Sequence, residues 1–200
     1  MSQIQLIKLA CKDCKRVNYW SRKNKKLETS HWAENYTNHG IQEIQDFIMP
    51  YGGINNTSAV LFNRNVLLKA NPFDIPLRFM GDKYAFIKVL SISDVAYVNL
   101  PLNYYRAAAD SRPKHTDDYL DYFYEQFLIF NWIDKNLKSL DRNKFLKAFK
   151  LNIETSLISG WGRKKVKIFN ELYRLNKSLV LTAIRNNVQR TLKRAVSASL

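Results

Sequence analysis

Between Ser58 and Tyr105 the hydrophobic period changes repeatedly, and each change is fenced by a residue that stops the preceding element. The run Ser58 to Phe62 is continuous enough to predict a buried strand. Asn65 to Ala70 predicts a short helix stopped by Asn71-Pro72, and Phe73 to Met80, carrying Pro76, predicts a loop. Asp82 to Ser91 predicts a helix with Tyr84, Phe86, Ile87 and Leu90 on its apolar face and Asp82 as its N-cap. Val95 to Val98 and Leu102 to Tyr105 then predict two short strands separated by Pro101. Strands that alternate with helices at these lengths indicate an α/β class, or an α+β-like fragment of one.

On either side the pattern is simpler. Residues 1 to 36 are polar and broken, consistent with irregular connection and one strand. Ile41, Ile44, Phe47 and Ile48 recur at helical spacing, so His39 to Met49 predicts an amphipathic helix ended by Pro50 and Gly52-Gly53. From Asp117 onward the sequence is almost wholly helix-compatible: Tyr119 to Asn136, Asn143 to Ile158, and one long basic segment from Arg163 to about Ala195. The expected organisation is an α/β domain over residues 1–115 and a mainly helical, basic region over 116–200 packed on it.

Composition fits a globular chain, with 46% hydrophobic and 13% aromatic residues among 200. No apolar run approaches the roughly 18 residues of a spanning helix. The start, MSQIQLIKLACKDCKR, lacks the apolar core of a signal peptide, so a cytoplasmic location is expected. The net charge of +15 is concentrated from Lys12 to Lys26 and from Lys135 onward, where sixteen Lys or Arg face three acids. Nucleic acid, an anionic membrane surface and phosphorylated substrates all fit such a field. In the last segment Val180, Ile184, Val188 and Leu192 fall four apart while Arg185, Arg190, Lys193 and Arg194 lie mostly elsewhere. That arrangement suits a helix packed on its neighbours with a solvated basic side. It also suits docking at the inner face of the plasma membrane.

The order of N-T-S-A-V-L-F (Asn56 to Phe62), G-D (Gly81-Asp82) with an aromatic-rich helix, and P-L-N-Y-Y-R (Pro101 to Arg106) resembles the second half of a GT-A fold. The resemblance is to family 2 glycosyltransferases of the inverting, bacterial surface-polysaccharide type. It spans roughly residues 15 to 115, including HGIQEIQDFIM and the surroundings of Trp20 and Trp32. It implies a partial GT-A fold and transfer of a sugar from a nucleotide-sugar donor to a glycan or lipid-linked acceptor. Asp82 would be the general base, drawing the proton from the acceptor hydroxyl as it attacks the anomeric carbon. Gly81 would permit the backbone turn that aims it. Asn56, Thr57 and Ser58 would lie on a strand edge near the acceptor pocket. Asn103, Tyr105 and Arg106 would belong to the segment closing over the site, with Arg106 facing donor phosphates.

Departures from the family pattern are specific. No two Asp residues are separated by a single intervening residue, so the D-x-D motif that holds a divalent metal, Mg or Mn, against the donor diphosphate has no counterpart. Lys83 replaces a frequent aromatic, and Ala108 replaces a histidine two residues after Arg106. Metal and backbone donors normally stabilise the leaving diphosphate. The chain alone is therefore expected to be inactive, to contain no cofactor site of its own, and to need a nucleotide-binding half. The alternative is a non-catalytic basic helical module for an anionic membrane surface or nucleic acid; nucleic acid is disfavoured because no binding motif accompanies the charge.

Remaining patterns carry less. Cys11 and Cys14 form a lone C-x-x-C, which a zinc site would have to complete with two further ligands such as His31 and His39 at irregular spacing; reduced thiols are expected. His115 is expected on the surface, and Asp117, Asp118 and Asp121 suit a helix N-terminus rather than a metal. Tyr119, Tyr122, Phe123, Phe127, Phe130 and Trp132 recur at helical spacing, which favours a core stripe over a base-stacking platform.

Overall fold

A computed structural model describes residues 4–11, 31, 34–52, 57–103, 116–153 and 163–198, and the predicted strand and helix ends that fall elsewhere, at 104–105 and 154–158, lie outside the described residues. The architecture is mixed α/β, in two compact units, Met1–Ser111 and Arg112–Leu200.

In the first unit the described residues form a four-stranded sheet of order β2-β4-β1-β3, from β1 (Ile4–Cys11), β2 (Tyr36–Asn38), β3 (Val60–Phe62) and β4 (Asp94–Asn103). The two central strands, β1 and β4, run parallel, whereas β3 is antiparallel to β1 and β2 antiparallel to β4. Two expectations change here. The Ser58 to Phe62 run is not a buried strand: Thr57–Ala59 is a 3₁₀ turn, and β3 lies at the sheet edge with Leu61 58% exposed. An apolar run of this length cannot distinguish a two-sided burial from an edge position, since that depends on which strands pair. Nor are there two strands around Pro101. The chain continues as one strand through the proline, which stands opposite Ala10 where the register with β1 shifts. An irregular ladder tolerates the missing proline N–H because the bulge removes the bond it would make.

Helix α1 (Gly40–Glu43) widens into a π-helical stretch, Ile44–Ile48, before α2 (Met49–Tyr51). The Met49 N–H reaches back to the Ile44 carbonyl, so the widened turn precedes Pro50, whose ring would crowd an ordinary α-turn. Pro50 thus lies inside the helix, and the stop is Gly52, with φ of 81°. Gly40 has a separate reason to be glycine. A Cβ there would stand 1.9 Å from the Ser93 carbonyl oxygen and 2.0 Å from that of Leu90. Its N–H donates to Asp94 Oδ1 at 3.2 Å, tying the helix start to the first residue of β4.

Helix α3 (Arg64–Ala70) is capped by Asn63, whose side chain accepts from the Asn65 and Val66 N–H groups, and ends at Asn71 in the left-handed region, with φ of 43°. Helix α4 (Gly81–Leu90) is the core of the unit. Every residue from Lys83 to Leu90 is buried, so the apolar stripe read from the sequence is one side of a helix enclosed all round. Phe86 stacks on Phe62 of β3 with centroids 5.8 Å apart, and Ile44, Ile48 and Met49 are fully buried. The Ser91 and Ser93 hydroxyls donate to the Lys88 and Val89 carbonyls, satisfying acceptors at the helix end.

The second unit contains α5 (Thr116–Asn136), α6 (Arg142–Ile153), α7 (Arg163–Leu175) and α8 (Lys177–Ala198). Its core is aromatic. Phe130 makes edge contacts with Phe145 and Phe149 at 5.7 and 5.4 Å, and Phe127 with Phe149 at 6.0 Å. Phe123, Phe127 and Phe130 are therefore core residues, while Tyr122 of the same sequence stripe is exposed. The long basic segment is two helices, not one, broken at Asn176. That side chain accepts from the Leu179 N–H at 3.1 Å, starting α8, and donates to Asn131 Oδ1 at 3.2 Å and Asp134 Oδ2 at 2.9 Å. Asn favours caps and turns because its side chain competes for backbone groups.

Candidate functional site

The N-terminus of α4 meets the turn before β3. Thr57 Oγ1 donates to Asp82 Oδ2 at 3.1 Å, joining residues 25 positions apart. The other carboxylate oxygen, Oδ1, accepts from the Lys83 N–H at 2.6 Å. Both Thr57 and Asp82 are exposed, so the carboxylate stands at the surface with one oxygen held by the helix and one by the neighbouring turn. Asp82 is not the N-cap expected from the sequence. Met80 holds that position without a side-chain bond, and Asp82 is in the first turn, where the helix dipole favours a negative charge.

Beside it Lys83 points inward. Burial disfavours its charged form and brings its pKa down to about 8, against a smaller upward pull from the Asp82 charge. Gly81 is half-buried, its φ is not positive, and a Cβ would meet only Leu77 Cβ at 4.0 Å. The turn that aims Asp82 therefore does not require glycine.

Of the other residues singled out in the sequence, Ser58 has its backbone in the 3₁₀ turn with Thr57 rather than on a strand edge. Asn103 ends β4, in register with Cys11 of β1. Asn56, Tyr105 and Arg106 lie outside the described residues, as do Cys14, His115 and the Lys12 to Lys26 run. His31 and His39 are engaged separately, with Glu43 and Asp94. Among the described residues no group of three His, Cys, Asp or Glu could hold a metal ion.

Two polar clusters were not anticipated. Glu43 is buried, and its carboxylate accepts from Tyr36 Oη at 3.0 Å and Asn38 Nδ2 at 2.9 Å, with His31 Nε2 at 3.1 Å. The His31 ring stacks on Phe47 with centroids 3.3 Å apart. The sequence signal is an acid within the apolar spacing Ile41, Ile44, Phe47, three residues after Gly40 and four before Phe47. The second cluster joins the loop before α4 to its middle: Lys88 Nζ donates to Asp74 Oδ2 at 2.6 Å. Partial burial works to raise the Asp74 pKa, but the Lys88 hydrogen bond and charge, with the Tyr84 hydroxyl nearby, outweigh it and hold it below the ordinary value. Burial, with the Asp74 carboxylate nearby, pushes the Tyr84 phenol up.

The Lys88–Asp74 pair ties the preceding loop to α4, from which Asp82 projects. Chemically, the Thr57–Asp82 pair offers an accessible carboxylate on a rigid helix start, able to accept a proton from a hydroxyl placed beside it. Compared with protein-family models, with curated proteins and with solved structures, the chain matches none of them.

Proposed function

We propose that this chain is the acceptor side of an inverting sugar transferase resembling the family 2 glycosyltransferases, with a partial GT-A fold over the first unit. Asp82 takes the proton of the acceptor hydroxyl, and Thr57 orients the carboxylate that does so. The observation that supports this reading is the Thr57–Asp82 hydrogen bond, because it brings together the two sequence elements, N-T-S and G-D, on which the resemblance rests. A base needs an activated donor to act against. A nucleotide-binding half with its divalent metal completes the reaction, and a glycan or lipid-linked molecule is the acceptor.

The test begins with the reading frames upstream of the Met1 codon, where an α/β half carrying D-x-D is expected. Co-purified with that half and supplied with Mg or Mn, the chain is expected to transfer sugar from one of a panel of nucleotide sugars. Asp82→Asn should then abolish transfer while circular dichroism stays unchanged, since amide and carboxylate are similar in size. Equal turnover by the variant removes Asp82 from the chemistry, and no transfer from any donor by the completed assembly overturns the reading.

A further inference from the structure

We propose that the exposed face of α8 is a docking surface for an anionic lipid bilayer, with the helix lying in the headgroup plane. Helix α8 is apolar on two sides. Leu179, Val180 and Ala183 are buried, whereas Leu181, Ile184 and Val188 remain 48, 41 and 53% exposed. The spacing 181, 184, 188 places those three on one stripe of the helix. Of the four-apart series read from the sequence, Val180 therefore belongs to the buried side, and Ile184 and Val188 to the exposed one.

Cations flank the exposed stripe. Lys177 and Arg185 stand four residues before and after Leu181, and both are exposed. Lys177 Nζ lies 5.7 Å from the centroid of the Tyr173 ring, and Tyr173 is itself exposed, an apolar ring with a polar tip suited to headgroup depth. Charge points the same way: between Arg163 and Ala198 the sequence has ten Lys or Arg and one acid, Glu171.

The pairing of apolar centre and cationic border selects the occupant. Nucleic acid would take the charge but leave three aliphatic side chains without an apolar acceptor. A second copy would bring a further +15 against the first. A bilayer with anionic headgroups accepts both parts, aliphatic side chains into the acyl boundary and cations at the phosphates. Among the described residues no helix is long and apolar enough to cross the membrane, so the contact is with its surface.

The experiment is flotation of the full chain with phosphatidylcholine vesicles and with vesicles containing phosphatidylglycerol, at low and high salt. Binding is expected only to the phosphatidylglycerol vesicles. The triple variant Leu181→Ser, Ile184→Ser, Val188→Ser should lower partitioning about ten-fold or more with helicity unchanged. Arg185→Glu keeps the apolar stripe, and should lower partitioning by about five-fold or more. Three results would each overturn the proposal. One is equal vesicle binding by wild type and the triple variant, which assigns binding to charge alone. Another is no vesicle binding by the wild type. The last is a concentration-dependent dimer that the triple variant abolishes while vesicles go unbound, which makes a second copy the occupant.

Discussion

Thr57 and Asp82 are hydrogen-bonded at 3.1 Å although 25 residues separate them, and the bond joins the turn before the edge strand β3 to the first turn of the most buried helix. It fixes a surface carboxylate without burying it. Because both partners are exposed, its contribution to stability should be small. A double-mutant cycle of Thr57→Val and Asp82→Ala, read by urea unfolding, should give a coupling of about 0.5–1 kcal/mol. A coupling of zero would mean that the two side chains do not hold each other in solution.

Lys83 predicts a dependence on pH with a definite sign. Its folded pKa, about 8, lies below the ordinary lysine value of 10.5, so the folded state holds fewer protons between those values than the unfolded state. Stability contributed by this group therefore rises as pH rises from about 8 toward 10.5, and the cost of the buried ammonium is full below 8. Lys83→Met, similar in volume, should stabilise the protein at pH 7 by on the order of 2–3 kcal/mol and flatten that rise. Urea midpoints at pH 7 and pH 10 for both proteins provide the check.

Gly40 should tolerate no larger residue. A methyl group would enter the space of two backbone oxygens at 1.9 and 2.0 Å, neither of which can swing away as a side chain end could. Gly40→Ala is expected to destabilise the chain by about 3 kcal/mol, seen as a lower midpoint in thermal or urea unfolding. Gly81→Ala provides the contrast. Its new Cβ has room, and alanine is the better helix former by about 1 kcal/mol, so the variant should be neutral or more stable.

At the α7–α8 break, Asn176→Ala removes a cap from α8 and two hydrogen bonds to α5 at once. The expected loss is about 2 kcal/mol. Asp134 should also feel the change. Burial works to raise its pKa, but bonds from Asn176 and Arg142 and nearby positive charge hold it below its ordinary value. A depressed carboxylate stabilises above its unfolded pKa and loses that contribution as pH falls through the folded one. The acid limb of the unfolding curve should accordingly be shallower in the variant, measurable by denaturation between about pH 5 and pH 2.

Local order along the chain determined much of what is seen. The apolar spacing of Tyr84 to Leu90 and of Phe123 to Phe130 was enough to place two α-helices, because an α-helix is built from contacts three and four residues apart, whereas that of Ile44, Phe47 and Ile48 placed a helical segment without showing its π-helical widening. The stops at Asn71 and Gly52 were legible for the same reason: a left-handed residue ends a helix through its own backbone. The candidate carboxylate, too, could be named from Gly81-Asp82 at the head of an aromatic-rich segment.

Everything that depends on which distant segments meet was decided only by the tertiary structure. Pairing made β3 an edge and carried β4 unbroken through Pro101, since a strand's partners are not encoded in its own period. Packing moved the cap from Asp82 to Met80, gave the Asp82 carboxylate its Thr57 donor, and enclosed Glu43 among His31, Tyr36 and Asn38. It also chose which of the two apolar sides of α8 would be buried. Two stripes of comparable hydrophobicity, Leu179-Val180-Ala183 and Leu181-Ile184-Val188, are nearly equivalent to a helix by itself, and only the neighbouring helices distinguish them.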